Sequence, residues 1–158
     1  MKSPPAIIVS CAAPGLAVMR SLARAGISTV AATYVDGDAG NVSRSAHRRV
    51  SVPHAEKEES AFVEALRALA EELTTPVIFG TSDAALGSLS RNLDRLGATA
   101  IVACPSRDAV ATMLDKTRTA DLAQRCGVPF PRWSHATTPE ATRRFTEEVA
   151  FPLLVKPA

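Results

Sequence analysis

Apolar and polar positions along this chain follow two rhythms that take turns through its first hundred residues. Ala6–Cys11 is a continuous apolar run, the pattern of a strand buried on both faces. Pro14-Gly15 then turns the chain into a predicted helix with Leu16, Met19 and Leu22 on one face, and Gly26 closes it. Ile27–Tyr34 predicts a second strand, Asp36–Asn41 a loop, and Arg49–Val52 a short third strand ending at Pro53. From about Glu56 to Leu73 the positions Phe62, Leu66, Leu69 and Leu73 keep helical spacing, with acids at the start. Thr74-Thr75-Pro76 breaks that helix, and Val77-Ile78-Phe79 predicts a fourth strand. Gly80-Thr81-Ser82-Asp83 leads into one helix carrying Leu86, Leu89, Leu93 and Leu96, ended by Gly97, with a fifth strand over Ala98–Cys104. Strands alternating with amphipathic helices make βαβ units, so the predicted class is α/β with a doubly wound, mainly parallel sheet.

Past residue 105 the pattern changes. Ser106 is placed to cap a short helix through Leu114, and Asp115 to cap another through Cys126. Val128-Pro129-Phe130-Pro131 reads as extended. Thr138-Pro139-Glu140 opens a helix with Ala141, Phe145 and Val149 inward, and Phe151–Pro157 reads as a last strand. Two domains are expected, over 1–105 and 106–158.

Composition narrows the classes. At 46% hydrophobic and 22% charged the 158 residues can bury a core, and with 4% aromatics that core is built of Ala, Val, Leu and Ile. No apolar run reaches the length of roughly 18 residues that a membrane helix needs. The run Ala6–Cys11 is short for a signal-peptide core, so the cytoplasm is the expected compartment. Cys11, Cys104 and Cys126 lie far apart, as do His47, His54 and His135, and neither set has metal-ligand spacing. A net charge of +2 is too mild for a nucleic-acid surface. Arg44, His47, Arg48 and Arg49 form one dense basic patch, which suits a solvated or anion-facing loop.

Three places carry candidate chemistry. The turn after the first strand, Cys11 to Ala17, holds only Gly15 of the three glycines a dinucleotide fingerprint requires, although Asp36 stands where a ribose-binding acid would. A small NAD(P)-binding protein is therefore a minor alternative. Thr81, Ser82 and Asp83 follow a predicted parallel strand, where open α/β sheets bind ligands, and they serve equally well as a helix cap. Lys116 and Lys156 are two of only four lysines among 18 basic residues. A lysine in the first turn of a helix opposes the helix dipole unless an anion joins it, and a solvated lysine paired with an acid is the other reading. Lys156 ends an apolar strand before Pro157.

In combination, Asp115-Lys116, Leu122-Ala123, Cys126-Gly127-Val128-Pro129-Phe130-Pro131 and Phe151-Pro152-Leu153-Leu154-Val155-Lys156-Pro157 resemble the first nucleotide-binding lobe of ATP-grasp ligases. Residues 1–105 are similar to the Rossmann-like pre-ATP-grasp domain before that lobe, and Ser43-Arg44 resembles one of its loops. The resemblance implies an ATP-dependent carboxylate–amine ligase acting through an acyl phosphate, with ATP and Mg²⁺ as cofactors and a small carboxylate as substrate. It places Lys116 and Lys156 against the ATP phosphates, Lys156 also near the adenine edge. Substrate contacts are expected from Arg44, Thr81, Ser82 and Asp83, and the magnesium ligands outside these 158 residues. The chain is expected to be a truncated or separately encoded amino-terminal part, inactive alone, working with a missing carboxyl-terminal half or as a homodimer. The alternative is a non-catalytic recognition module working with a separate chain.

Overall fold

The computed structural model describes residues 3–149 and 151–155. Two compact units divide the chain, Met1–Val110 and Ala111–Ala158.

The first unit is built on a five-stranded sheet. Its strands are β1 (Ala6–Val9), β2 (Thr29–Thr33), β3 (Arg48–Ser51), β4 (Val77–Gly80) and β5 (Ile101–Val102), in the order β3-β2-β1-β4-β5. Every pairing is parallel. The central strand shows why the apolar run at 6–11 is unbroken: its side chains alternate between two cores. Ile7 and Val9 point into one with Val30 and Ala32, where α2 (Glu59–Leu73) supplies Phe62, Leu66 and Leu69. Leu89 of α3 (Asp83–Arg91) and Leu96 of α4 (Leu93–Gly97) complete that face. Ala6 and Ile8 point the other way with Ala31, against Met19 of α1 (Ala13–Arg24). With helices on both faces the sheet is doubly wound, as the sequence pattern predicts, and the chain reverses its winding between β1 and β4.

Two elements of this unit differ from the sequence reading. The helix expected across 83–97 is two helices, because Asn92 leaves helical geometry and turns its amide to the Ser88 carbonyl (2.9 Å) and the Glu59 carboxylate (2.8 Å). Glu59 also holds Arg91 (2.7 Å), so the break is tied to α2. The strand expected over 98–104 contracts to Ile101–Val102, since the turn after α4 runs on through Thr99 and Ala100, whose N–H groups donate to the Leu96 carbonyl. The left-handed pair Thr74 and Thr75 ends α2 before Pro76, where the sequence places a break.

The second unit carries α6 (Lys116–Arg125) and α7 (Pro139–Glu148), and α5 (Arg107–Leu114) spans the point at which the two units divide. Thr138 caps α7 through the Ala141 N–H (3.2 Å), but no residue of α7 is fully buried. The last strand expected over 151–157 is not formed at 151–155, where Phe151, Leu154 and Val155 stand exposed. A strand needs a neighbour to satisfy its backbone, and unit 2 holds no other strand among the described residues. Lys156 and Pro157 lie outside the described residues. No helix among the described residues is long and apolar enough to cross a membrane.

Candidate functional site

The winding reversal of the sheet puts the ends of β1 and β4 side by side, and sequence-predicted residues gather there. Ser10, directly after β1, is a buried residue at φ 65°. Thr81 follows β4 and donates its hydroxyl to the Val9 carbonyl (2.9 Å) and the Ser10 carbonyl. Gly15 packs into the same corner: a Cβ there would stand 2.6 Å from Thr81 Oγ1 and closer still to the Ser10 carbonyl oxygen. Thr81 is thus a latch between two strand ends. Ser82 accepts the Ala85 N–H (3.2 Å) as the cap of α3, and its hydroxyl also meets the Tyr34 hydroxyl (2.7 Å). The open choice between ligand contact and helix cap therefore has structural duties at Thr81 and Ser82, while the Asp83 side chain lies exposed.

The loop after β2 folds back over this corner. Asp38 is buried and accepts the Cys11 N–H through Oδ2 (3.1 Å). Gly40 donates to the Cys11 carbonyl (3.2 Å), and a Cβ on Gly40 would collide with the Cys11 side chain. The protein's own carboxylate thus takes a backbone donor of the turn after β1, and Asp36, the sequence candidate for a ribose acid, is exposed two residues away. Burial, reinforced by the Asp38 charge and opposed by a backbone hydrogen bond at Ala32, pushes the Cys11 thiol up to about 12. Asp38, Cys11 and Gly40 escaped the sequence reading; the Asp36-Gly37-Asp38-Ala39-Gly40 composition announced a turn but not its target.

Within unit 2, Asp115 caps α6 by accepting the N–H groups of Thr117 (2.8 Å) and Arg118 (3.1 Å). Two amide donors that an anion would use at this helix start are therefore taken by a side-chain carboxylate. Lys116 is exposed, with no ion pair among the described residues. It lines a cavity of about 360 Å³ together with Phe130, Trp133, His135 and Leu154. This wall was missed from sequence, although Trp133 is the chain's single tryptophan and stands two residues after Pro129-Phe130-Pro131.

A 70-residue stretch, 44% of the chain, is 30% identical to the carbamoyl phosphate synthase large chain of Methanothrix thermoacetophila and covers 6% of that protein. The fold matches N5-carboxyaminoimidazole ribonucleotide synthetase of Thermus thermophilus at a TM-score of 0.64 and 18% identity, over 93% of this chain and 37% of that one. It also matches the biotin carboxylase domain of the Hydrogenobacter thermophilus 2-oxoglutarate carboxylase, solved as a dimer with MgADP, ADP and bicarbonate. There the TM-score is 0.59 and the identity 21%, over 96% of this chain and 34% of that one. The chain resembles ATP-grasp ligases. No family model matches it. The ATP-grasp likeness is to the amino-terminal region of those enzymes, and the chain spans about a third of the solved relatives' length. Of the two lysines that the ATP-grasp resemblance singles out, Lys116 lies at the helix start and Lys156 falls outside the described residues. Among the described residues no cluster of three or more His, Cys, Asp or Glu side chains is arranged to hold a metal ion.

Proposed function

We propose that the chain is the amino-terminal part of a carboxylate–amine ligase that works through an acyl phosphate, with ATP supplying the phosphoryl group. One observation carries this reading: Lys116 stands exposed beside a cavity lined by Phe130, Trp133 and Leu154 together with Thr117, Thr119 and Ser134, in a chain similar to ATP-grasp ligases. A compact ammonium suits polyphosphate because it offsets charge without demanding one bidentate geometry. Lys116 and Lys156 hold the nucleotide phosphates in this reading, and the adenine edge falls to Lys156. Phe130 and Trp133 offer apolar surface to the nucleotide on the Lys116 side of the cavity. Because Asp115 occupies two amide donors, Lys116 contributes its side chain and little of the helix terminus. On the substrate side Arg44 and Asp83 reach a small carboxylate or its nucleophile, and Thr81 and Ser82 hold the strand ends that aim them. Mg²⁺ takes its ligands from residues outside these 158. The enzyme works in the cytoplasm, as a homodimer or with a carboxyl-terminal half.

Two measurements test it. In protein carrying both lobes, Lys116→Ala and Lys156→Ala are each expected to weaken ATP binding by about tenfold, and an unchanged affinity in the double variant sinks the assignment. The 158-residue chain, given ATP, Mg²⁺ and a pool of carboxylates, is expected to yield no hydroxamate when acyl phosphates are trapped with hydroxylamine. Trapped product at one equivalent per chain would refute the dependence on further residues.

A further inference from the structure

We propose that unit 1 carries a binding cleft for a small organic dianion, between α1 and the loop that follows β2. The cleft has a volume of about 340 Å³, with Leu16 and Val42 as its apolar wall and Arg20, Arg44, Ser43 and Ser45 as its polar groups.

Its loop is held in shape before any ligand arrives. The Thr29 hydroxyl donates to the Ser45 carbonyl, and Arg49 Nη2 donates to the Ser43 carbonyl (2.6 Å). The Ser45 N–H donates to Ser43 Oγ (3.2 Å), and Ala46 beyond it is buried. Arg44 is therefore carried between two residues whose backbone is fixed, with its own side chain exposed. Arg20 comes from the middle of α1, whose rotation is set by the buried Gly15 and Met19.

In unit 1, Arg48, Arg67, Arg91 and Arg95 each pair with a glutamate. Arg20 and Arg44 have no ion pair among the described residues, and no carboxylate lines the cleft. Arg24, Arg49 and Arg107 of this unit also lack an ion pair among the described residues, but Arg20 and Arg44 share one cleft. Two guanidinium groups in one cleft repel each other until an anion joins them, and each presents a fork that matches carboxylate or phosphate oxygens. Val42, 82% exposed, is an apolar lip that the ligand's carbon skeleton would cover. A phosphate monoester and a dicarboxylate share the required chemistry: two negative charges, several acceptor oxygens and a short apolar part.

This deepens the substrate-side place given to Arg44 and rests on that part of the functional reading alone. It is tested without nucleotide, by titrating phenyl phosphate and glutarate into the 158-residue chain and following amide shifts by NMR. At least one probe is expected to saturate with a Kd of roughly 1 mM or tighter. Arg20→Gln and Arg44→Gln should each weaken it about tenfold, while Arg24→Gln, on the same helix outside the cleft, should change it less than about twofold. Tighter binding of phenyl phosphate identifies a phosphate monoester, and tighter binding of glutarate a dicarboxylate. Failure of both probes to saturate overturns the proposal, as does equal weakening by Arg24→Gln, which would mark general charge attraction. The ligase reading fails separately, in the Lys116 and Lys156 titrations, which involve no residue of this cleft.

Discussion

Cys11 shows how closely the corner at the end of β1 is built. Its N–H is held by Asp38, its thiol donates to the Ile8 carbonyl (3.2 Å), and its side chain leaves no room for a Cβ on Gly40. Burial first, and then the Asp38 charge, push the thiol from 9.0 to about 12. The folded chain thus keeps its proton where the unfolded chain releases it. The stability linked to this thiol is complete below pH 9.0 and is lost as the pH rises towards about 12. Between those limits the wild type should lose stability more steeply than Cys11→Ala, by up to about 1.4 kcal/mol per pH unit in urea denaturation. Equal slopes would mean that the thiol ionises freely in the folded state. The residues of this corner were only partly readable from sequence. Gly15 and Thr81 stand 66 positions apart, and nothing in either segment says that one hydroxyl fills the space beside the other's backbone.

At the scale of elements, the start of α6 joins a visible signal to a hidden one. Asp115 before Lys116 reads as a cap, and the structure shows that cap accepting from Thr117 and Arg118. Asp115→Ala is expected to destabilise α6 by about 1 kcal/mol, seen as lost amide protection over 116–119 in hydrogen exchange. Unchanged protection there would show that packing, and not the cap, holds the helix start. The break at Asn92 is the opposite case. Leu86, Leu89, Leu93 and Leu96 keep helical spacing straight through it, so the local pattern favours one helix. The interruption comes from Glu59, 33 residues earlier, which engages both Arg91 and Asn92. Such a contact has no local signature.

At the scale of the molecule, the two units differ in what holds them together. Among the described residues, all five strands and both apolar cores lie within the first 110. Beyond Val110, Ala120 is the one buried apolar residue among those described, and Phe151, Leu154 and Val155 are 77%, 80% and 89% exposed. Residues 1–110 expressed alone should therefore unfold cooperatively, with a midpoint close to that of the whole chain. Residues 111–158 alone should show no cooperative transition by circular dichroism, because a segment this small rarely stabilises itself without a core. A sharp, independent transition in 111–158 would contradict this account.

By itself the sequence determined the alternation of strands and helices, because period-two and helical patterns of apolar residues are local and each specifies its own burial. It also determined the resemblance to ATP-grasp ligases, carried by short phrases around Lys116 and Lys156. Tertiary structure decided which polar residues were available for chemistry. Thr81, Ser82 and Asp38 could have faced a ligand, and the fold spent their hydrogen bonds on strand ends and turns. Arg20 and Arg44 were ordinary surface arginines in the sequence, until folding set them around one cleft with no carboxylate between them. A hydrogen bond is satisfied by whichever group arrives in three dimensions, and sequence spacing does not say which group that is.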